Sequence, residues 1–191
     1  MTAKLRRAVF ADAVRQPVKA TIDGNQLRQE IDQFRRDSLA RKYYAPFNVN
    51  SKNYRDIPEK TEEWCDRFAQ FVADVSKLTA KAEHAQAVSC CAMLYELVEA
   101  VDSGKEIIFA EEAGNWMIPT EEKALLKTYL TSLAATATPE AFTAVALPML
   151  QRDSGHSFAG QVYTAALKVA NPQQKAHLQA EVKRRQIRTG P

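Results

Sequence analysis

The sequence predicts an all-α fold built from short antiparallel helices. Three observations support this prediction: apolar residues recur at helical spacing through most of the chain, helix-favouring residues are abundant, and turn residues are scarce. The six glycines and eight prolines are too few for an all-β fold, which needs many turns. With 191 residues, 46% of them hydrophobic, the chain can bury a core of one ordinary domain or two very small ones.

Residues 1–58 are predicted to form an N-terminal helical arm followed by a Pro/Asn-rich loop. A short helix is expected over Lys4–Val14, before Pro17. Asp23-Gly24-Asn25 is then expected to form a turn that leads into the N-cap of a second helix. This helix should end near Tyr44, because Pro46 disfavours helix at the preceding residue. The second helix carries its apolar residues on one stripe: Leu27, Ile31, Phe34 and Leu39. Residues 45–59 have no helical period, so a loop of about fifteen residues is expected there.

Residues 59–191 are predicted to form a helical-repeat-like domain that begins with two strongly apolar helices. The first starts at Glu59 and has one buried face: Trp64, Phe68, Phe71, Val72, Val75 and Leu78. The second runs from about Glu83 to Val101 and is apolar over most of its circumference, which is typical of a helix at the centre of a core. Gly104 is suited to a left-handed cap after it.

The remaining helices are expected to be short and regularly spaced. One covers about Thr120 to Ala135, and the next starts at Thr138-Pro139, where a capping residue precedes proline at the first helical position. Its apolar set is Phe142, Val145, Ala146, Met149 and Leu150. Pro148 should kink this helix. Ser154-Gly155 separates it from a helix that contains Phe158 and Val162, and Asn171-Pro172 opens the last one.

The two cap-plus-proline starts lie 33 residues apart, a distance that accommodates one helical hairpin. On helix length, short connections and the internal proline, the chain from Thr61 onward resembles HEAT-like or armadillo-like helical-hairpin proteins. The resemblance implies short antiparallel hairpins stacked as a small HEAT-like array. An irregular helical bundle is the alternative, and the resemblance transfers no functional residues.

Charge is distributed unevenly along the chain, although the formal net charge is only +3. Residues 1–60 contain 13 Lys/Arg and 7 Asp/Glu, residues 61–140 contain 6 and 14, and residues 141–191 contain 7 and 2. Two interpretations follow. The basic ends bind a partner, or they fold back onto the acidic middle.

The connection over residues 102–119 is the first candidate site, because it joins an apolar run, an acidic pair and a tryptophan. The candidate partner-binding residues are Glu106, Glu111, Glu112, Asn115 and Trp116. The carboxylates could instead stay in water while the apolar residues anchor a structural connection. A hard metal ion would also suit carboxylate oxygens, but the acids lack the alternating spacing of a calcium loop, so no metal is predicted.

The second candidate site combines cations, which bind phosphates, with aromatic rings, which stack on bases. Its residues are Arg35, Arg36, Arg41, Lys42, Tyr43, Tyr44 and Arg55, together with Lys183, Arg184 and Arg185 near the C-terminus. This mixture suits single-stranded nucleic acid, although nearby aspartates lower the net positive charge of the region.

No catalytic motif is found in the sequence. None of the three histidines has metal-ligand spacing, Cys90-Cys91 falls in the most apolar helix, and no glycine loop could hold a phosphate. Three cysteines, two of them adjacent, are a poor disulfide framework, and no signal-peptide or membrane-spanning pattern is present, so a cytoplasmic location is expected.

The sequence therefore predicts a non-catalytic helical scaffold that binds a protein partner, with no cofactor and no membrane association. Nucleic-acid binding through the basic and aromatic residues is the alternative. An enzyme with a site assembled from dispersed Glu and His residues is a third hypothesis. The oligomeric state is left open.

Overall fold

The all-α prediction is confirmed by a computed structural model, which describes residues 23–46, 48–49, 55–56, 58–108, 122–152 and 158–189. The described residues form seven helices: α1 (Gly24–Leu39), α2 (Glu59–Ala80), α3 (His84–Asp102), α4 (Glu122–Thr136), α5 (Pro139–Arg152), α6 (Phe158–Val169) and α7 (Pro172–Arg184). The helix predicted over Lys4–Val14 lies outside these residues.

Helix α1 begins within the predicted turn, at Gly24, and Asp23 is its N-cap: the side chain of Asp23 accepts a hydrogen bond from the backbone N–H of Asn25 at 2.9 Å. It ends at Leu39, and the prediction that it continues to near Tyr44 is wrong. The reason is Arg41, which adopts a left-handed conformation with φ of 61°. The N–H of Lys42 consequently donates to the carbonyl of Asp37, which closes a Schellman cap without glycine.

The predicted loop over residues 45–59 contains a small β-hairpin that the sequence pattern did not indicate. Strand β1 (Asn48–Val49) pairs antiparallel with β2 (Arg55–Asp56), and Val49 lies opposite Arg55. Strands of two residues are too short to show an alternating apolar pattern, so sequence periodicity cannot reveal them.

Helix α2 buries the face predicted for it and packs against α3. Helix α3 also packs against α1 and α4, as expected for a helix that is apolar on most sides. Its centre is inaccessible to solvent: Cys90, Cys91, Leu94 and Leu97 are each 0% exposed. Gly104 caps the helix with φ of 78°, as predicted.

The arm helix α1 belongs to the same core as the helices that follow it. Ile31 and Phe34 are buried, and the ring of Phe34 lies 5.7 Å from that of Trp64 on α2. The indole Nε1 of Trp64 donates to the hydroxyl of Ser38 at 2.8 Å, and this hydroxyl donates to the carbonyl of Phe34 at 2.8 Å. Apolar contact and a buried hydrogen-bond chain thus join α1 to α2.

The other extensive helix pairs are α2 with α4, α4 with α6, α5 with α6, and α5 with α7. Among the described helices, α3 and α5 do not pack extensively against each other. The fold class is thus established, whereas the HEAT-like stacking of hairpins stays a prediction.

Gln174 joins the start of α7 to the end of α4 from a fully buried position. Asn171 and Gln174 form a reciprocal capping box at the predicted Asn171-Pro172 start. The amide Nε2 of Gln174 also donates to the carbonyls of Ala134 and Ala137, at 3.1 Å and 2.9 Å. One side chain therefore satisfies backbone groups of two helices.

The Gln174→Met variant should lower the free energy of unfolding by about 1–3 kcal/mol, because it leaves two partly buried carbonyls and the N–H of Asn171 without their partner. Urea denaturation followed by circular dichroism measures the change. Gln173→Met is the matched control, since Gln173 is exposed on the same turn, and its stability should be nearly unchanged. Equal midpoints for the two variants would show that the Gln174 amide is dispensable.

Candidate interaction surfaces

The predicted nucleic-acid residues on and after α1 are paired with carboxylates of the chain itself. Arg35 contacts Asp32 at 3.0 Å and Glu96 of α3 at 2.8 Å, and Arg36 contacts Asp32 at 2.7 Å. Hydrogen bonds to Asp32 and then Glu96 raise the pKa of Arg35. Lys42 pairs with Asp37 and lowers the pKa of that carboxyl group.

Arg41 brings the two predicted sites together. Its guanidinium Nη2 lies 3.0 Å from Oε2 of Glu106, a predicted partner-binding residue in the connection after α3. The backbone N–H of Ala45 donates to the carbonyl of Ile108 at 2.9 Å in the same region. The segment after α1 therefore lies against the segment after α3, and Arg41 and Glu106 form an exposed ion pair between them.

Tyr43 and Tyr44 differ in exposure. Tyr43 is only 6% exposed, and its ring lies 5.5 Å from that of Phe34 in the core, so it presents no open face for a base. Burial raises the pKa of Tyr43. Tyr44 is half-buried and is covered by the guanidinium of Arg41 at 4.2 Å. Arg67, absent from the predicted site, donates to the Tyr43 hydroxyl and lies over the Phe34 ring.

The predicted C-terminal cations lie at the exposed end of α7. Arg184 and Arg185 both contact Glu181, at 2.6 Å and 3.2 Å. Hydrogen bonding from Arg184 lowers the pKa of Glu181 to about 2. Lys183 forms no ion pair within the described part of the chain. Arg184 and Arg185 thus share a single carboxylate, that of Glu181.

Some of the predicted site residues lie outside the described part of the chain. Glu111, Glu112, Asn115 and Trp116 lie outside the described residues. Arg55 is described only through its backbone in β2. Their proposed roles stay predictions.

A solvent-open cleft of about 310 Å³ lies between α3 and α5, with α4 at its base. It is lined by Ala92, Tyr95, Glu96, Glu99, Tyr129, Val145, Pro148 and Met149. Ala92, Glu99 and Pro148 are exposed, and Val145 is half-buried. The sequence pattern predicted that Val145 lies on the buried face of α5. In the structure this side chain is only half-buried, because it borders the cleft.

The hydroxyl and imidazole groups that suggest chemistry form hydrogen bonds between helices. Ser132 on α4 shares hydrogen bonds with Thr79 at 2.7 Å and with His84 Nδ1 at 3.3 Å. His177 Nδ1 shares one with Thr143 at 2.9 Å. These contacts join α2 to α4 and α5 to α7.

The cysteines are free thiols with low reactivity at neutral pH. Burial raises the pKa of Cys65 and of Cys90 to about 11, and it also raises the pKa of Cys91. Since the thiolate is the nucleophile, these groups are almost wholly protonated near pH 7.

Within the described ranges, no three His, Cys, Asp or Glu side chains are grouped closely enough to hold a metal ion. None of the described helices combines the length and apolar character needed to cross a lipid bilayer. Compared with known protein families, curated proteins and solved structures, the chain shows no match.

A labelled single-stranded oligonucleotide should bind weakly or not at all at low salt, because the arginines on and after α1 already face carboxylates. Fluorescence anisotropy at low and physiological salt measures this for the wild type and for an Arg35→Ala/Arg36→Ala/Arg41→Ala variant. A circular dichroism spectrum of the variant checks its fold. Tight binding that the variant loses, with affinity falling by about 0.7 log units per log unit of salt for each contacted phosphate, would restore the nucleic-acid hypothesis.

Proposed function

We propose that the chain is a non-catalytic helical scaffold that binds a protein partner through the α3–α5 cleft. The observation that supports this proposal is the cleft itself, whose walls are mostly apolar and whose edges reach solvent. Apolar side chains around an open recess favour contact with another molecule, because association removes that surface from water.

The helix packing explains why a cleft forms at this position. Helix α3 packs against α1, α2 and α4, whereas α5 packs mainly against α6 and α7. The two helices therefore belong to neighbouring groups, and α4 joins them. Ala92, Val145 and Pro148 keep apolar surface open toward the gap, whereas Met149 is buried at its base.

The alternation of helix contacts supports the helical-repeat interpretation. Four extensive contacts join a helix to the one two places further along: α1 with α3, α2 with α4, α4 with α6, and α5 with α7. Helical-repeat proteins stack hairpins in this way and use the resulting surfaces for recognition. Two departures from this pattern are the weaker α4–α5 contact and the lack of an extensive α3–α5 contact among the described helices.

The non-catalytic part of the proposal is supported by the roles of the reactive groups. His84, His177 and Ser132 are engaged between helices, and the thiols of Cys90 and Cys91 are buried. None of these side chains lines the cleft. A partner at the cleft would meet apolar surface and carboxylates.

Site-specific photo-crosslinking should capture a protein partner when the photoreactive residue replaces Ala92 on the cleft edge. The matched control places it at Ala73, an equally exposed alanine on α2 that does not line the cleft. In native cell lysate, we expect a discrete protein adduct from position 92, resistant to nuclease and absent from position 73. No protein adduct, or identical adducts from both positions, would overturn the proposal. A nuclease-sensitive adduct would favour nucleic acid instead.

A further inference from the structure

The geometry points to an arginine side chain of the partner as the group that occupies the α3–α5 cleft. This inference rests on the proposed function and specifies the chemistry of the contact. It follows from the volume of the cleft, the apolar character of its walls and the sign of the charge at its edge.

The volume suits one long side chain. About 310 Å³ is at the lower end of the range for small-molecule pockets, so the cleft is too small for a whole helix. Tyr129, Val145 and Met149 provide apolar walls. A long basic side chain places its aliphatic stem along such surface while its charged group remains near water. The apolar walls of the cleft therefore suit the aliphatic stem of an arginine side chain.

The edge of the cleft is acidic and has no basic counterpart among its lining residues. Glu96 and Glu99 lie there, one turn apart on α3. Glu96 already accepts a guanidinium, that of Arg35, at 2.8 Å. Glu99 forms no ion pair with any residue that the structure describes. A second cation over this edge would be complementary in charge, and an anionic partner would be repelled.

A guanidinium suits this edge better than an ammonium does. A carboxylate such as that of Glu99 can accept two parallel hydrogen bonds from a planar guanidinium, whereas an ammonium acts as a compact point charge. The Arg35–Glu96 contact is an example of a guanidinium bound on this face of α3.

The test uses two small probes, Nα-acetyl-arginine N-methylamide and its neutral citrulline counterpart. Protein labelled with ¹³C at the methionine methyl groups reports binding at Met149, which lines the cleft. Methyl NMR detects dissociation constants on the order of 1–10 mM, the range expected for such small ligands. The arginine probe should shift the Met149 resonance saturably, and citrulline should bind about tenfold more weakly, since it loses the charge.

Two variants assign the charge effect to the cleft. Glu99→Gln should weaken binding of the arginine probe by about two- to fivefold, because it removes an exposed charge attraction. Glu63→Gln is the matched control, since Glu63 is exposed on α2 and does not line the cleft, and it should leave affinity unchanged. Equal binding of the two probes, an unperturbed Met149 resonance, or equal effects of the two variants would overturn the inference.

The remaining outcomes separate this inference from the proposed function. A crosslinked protein partner that binds without an arginine in the cleft would overturn the inference and leave the scaffold proposal intact. If the arginine probe binds in the NMR titration but crosslinking from position 92 captures no protein, the scaffold proposal would be overturned. Sedimentation velocity tests a further occupant: a concentration-dependent dimer that Ala92→Trp abolishes would assign the cleft to a second copy and overturn the inference.

Discussion

The enclosure of α3 is the constraint on which the rest of the structure depends. Its residues are apolar on nearly every side, so no single neighbouring helix can cover it. Helices α1, α2 and α4 surround it, and Cys90, Cys91, Leu94 and Leu97 are sealed from water. The N-terminal helix is consequently part of the core. The side of α3 toward α5 is left open, and the cleft forms there.

Polar contacts between the helices complement the apolar core. Ser76 and Thr128 share a hydrogen bond at 2.8 Å between α2 and α4, beside the Thr79–Ser132 pair. An unpaired polar group in such an interface would cost stability, so these pairs favour one alignment of the two helices over shifted ones. The Arg35–Glu96 pair is partly exposed and contributes little to stability. It does hold one positive and one negative side chain in position at the cleft edge.

Helix starts were predictable from local chemistry, whereas several helix ends and the cleft were not. Pro139 and Pro172 begin their helices as expected, because a capping residue followed by proline is a local signal. The left-handed residues that follow α1, α2 and α7 are Arg41, Ala82 and Gln186. None of them is glycine, so composition does not mark these helix ends. The Arg35–Glu96 contact joins residues 61 positions apart, and Val145 borders a gap that exists only through tertiary packing. Neither is visible in a periodic pattern.

Native-state hydrogen exchange measured residue by residue tests the central position of α3 most directly. The amides at the centre of α3, around Leu94 and Leu97, should be the slowest to exchange, with an opening free energy equal to that of global unfolding. Amides of α7 should exchange faster, because that helix packs mainly on α5 and has several exposed faces. If α3 instead exchanged through local opening, faster than α1 or α7, it would not be the helix on which the others depend.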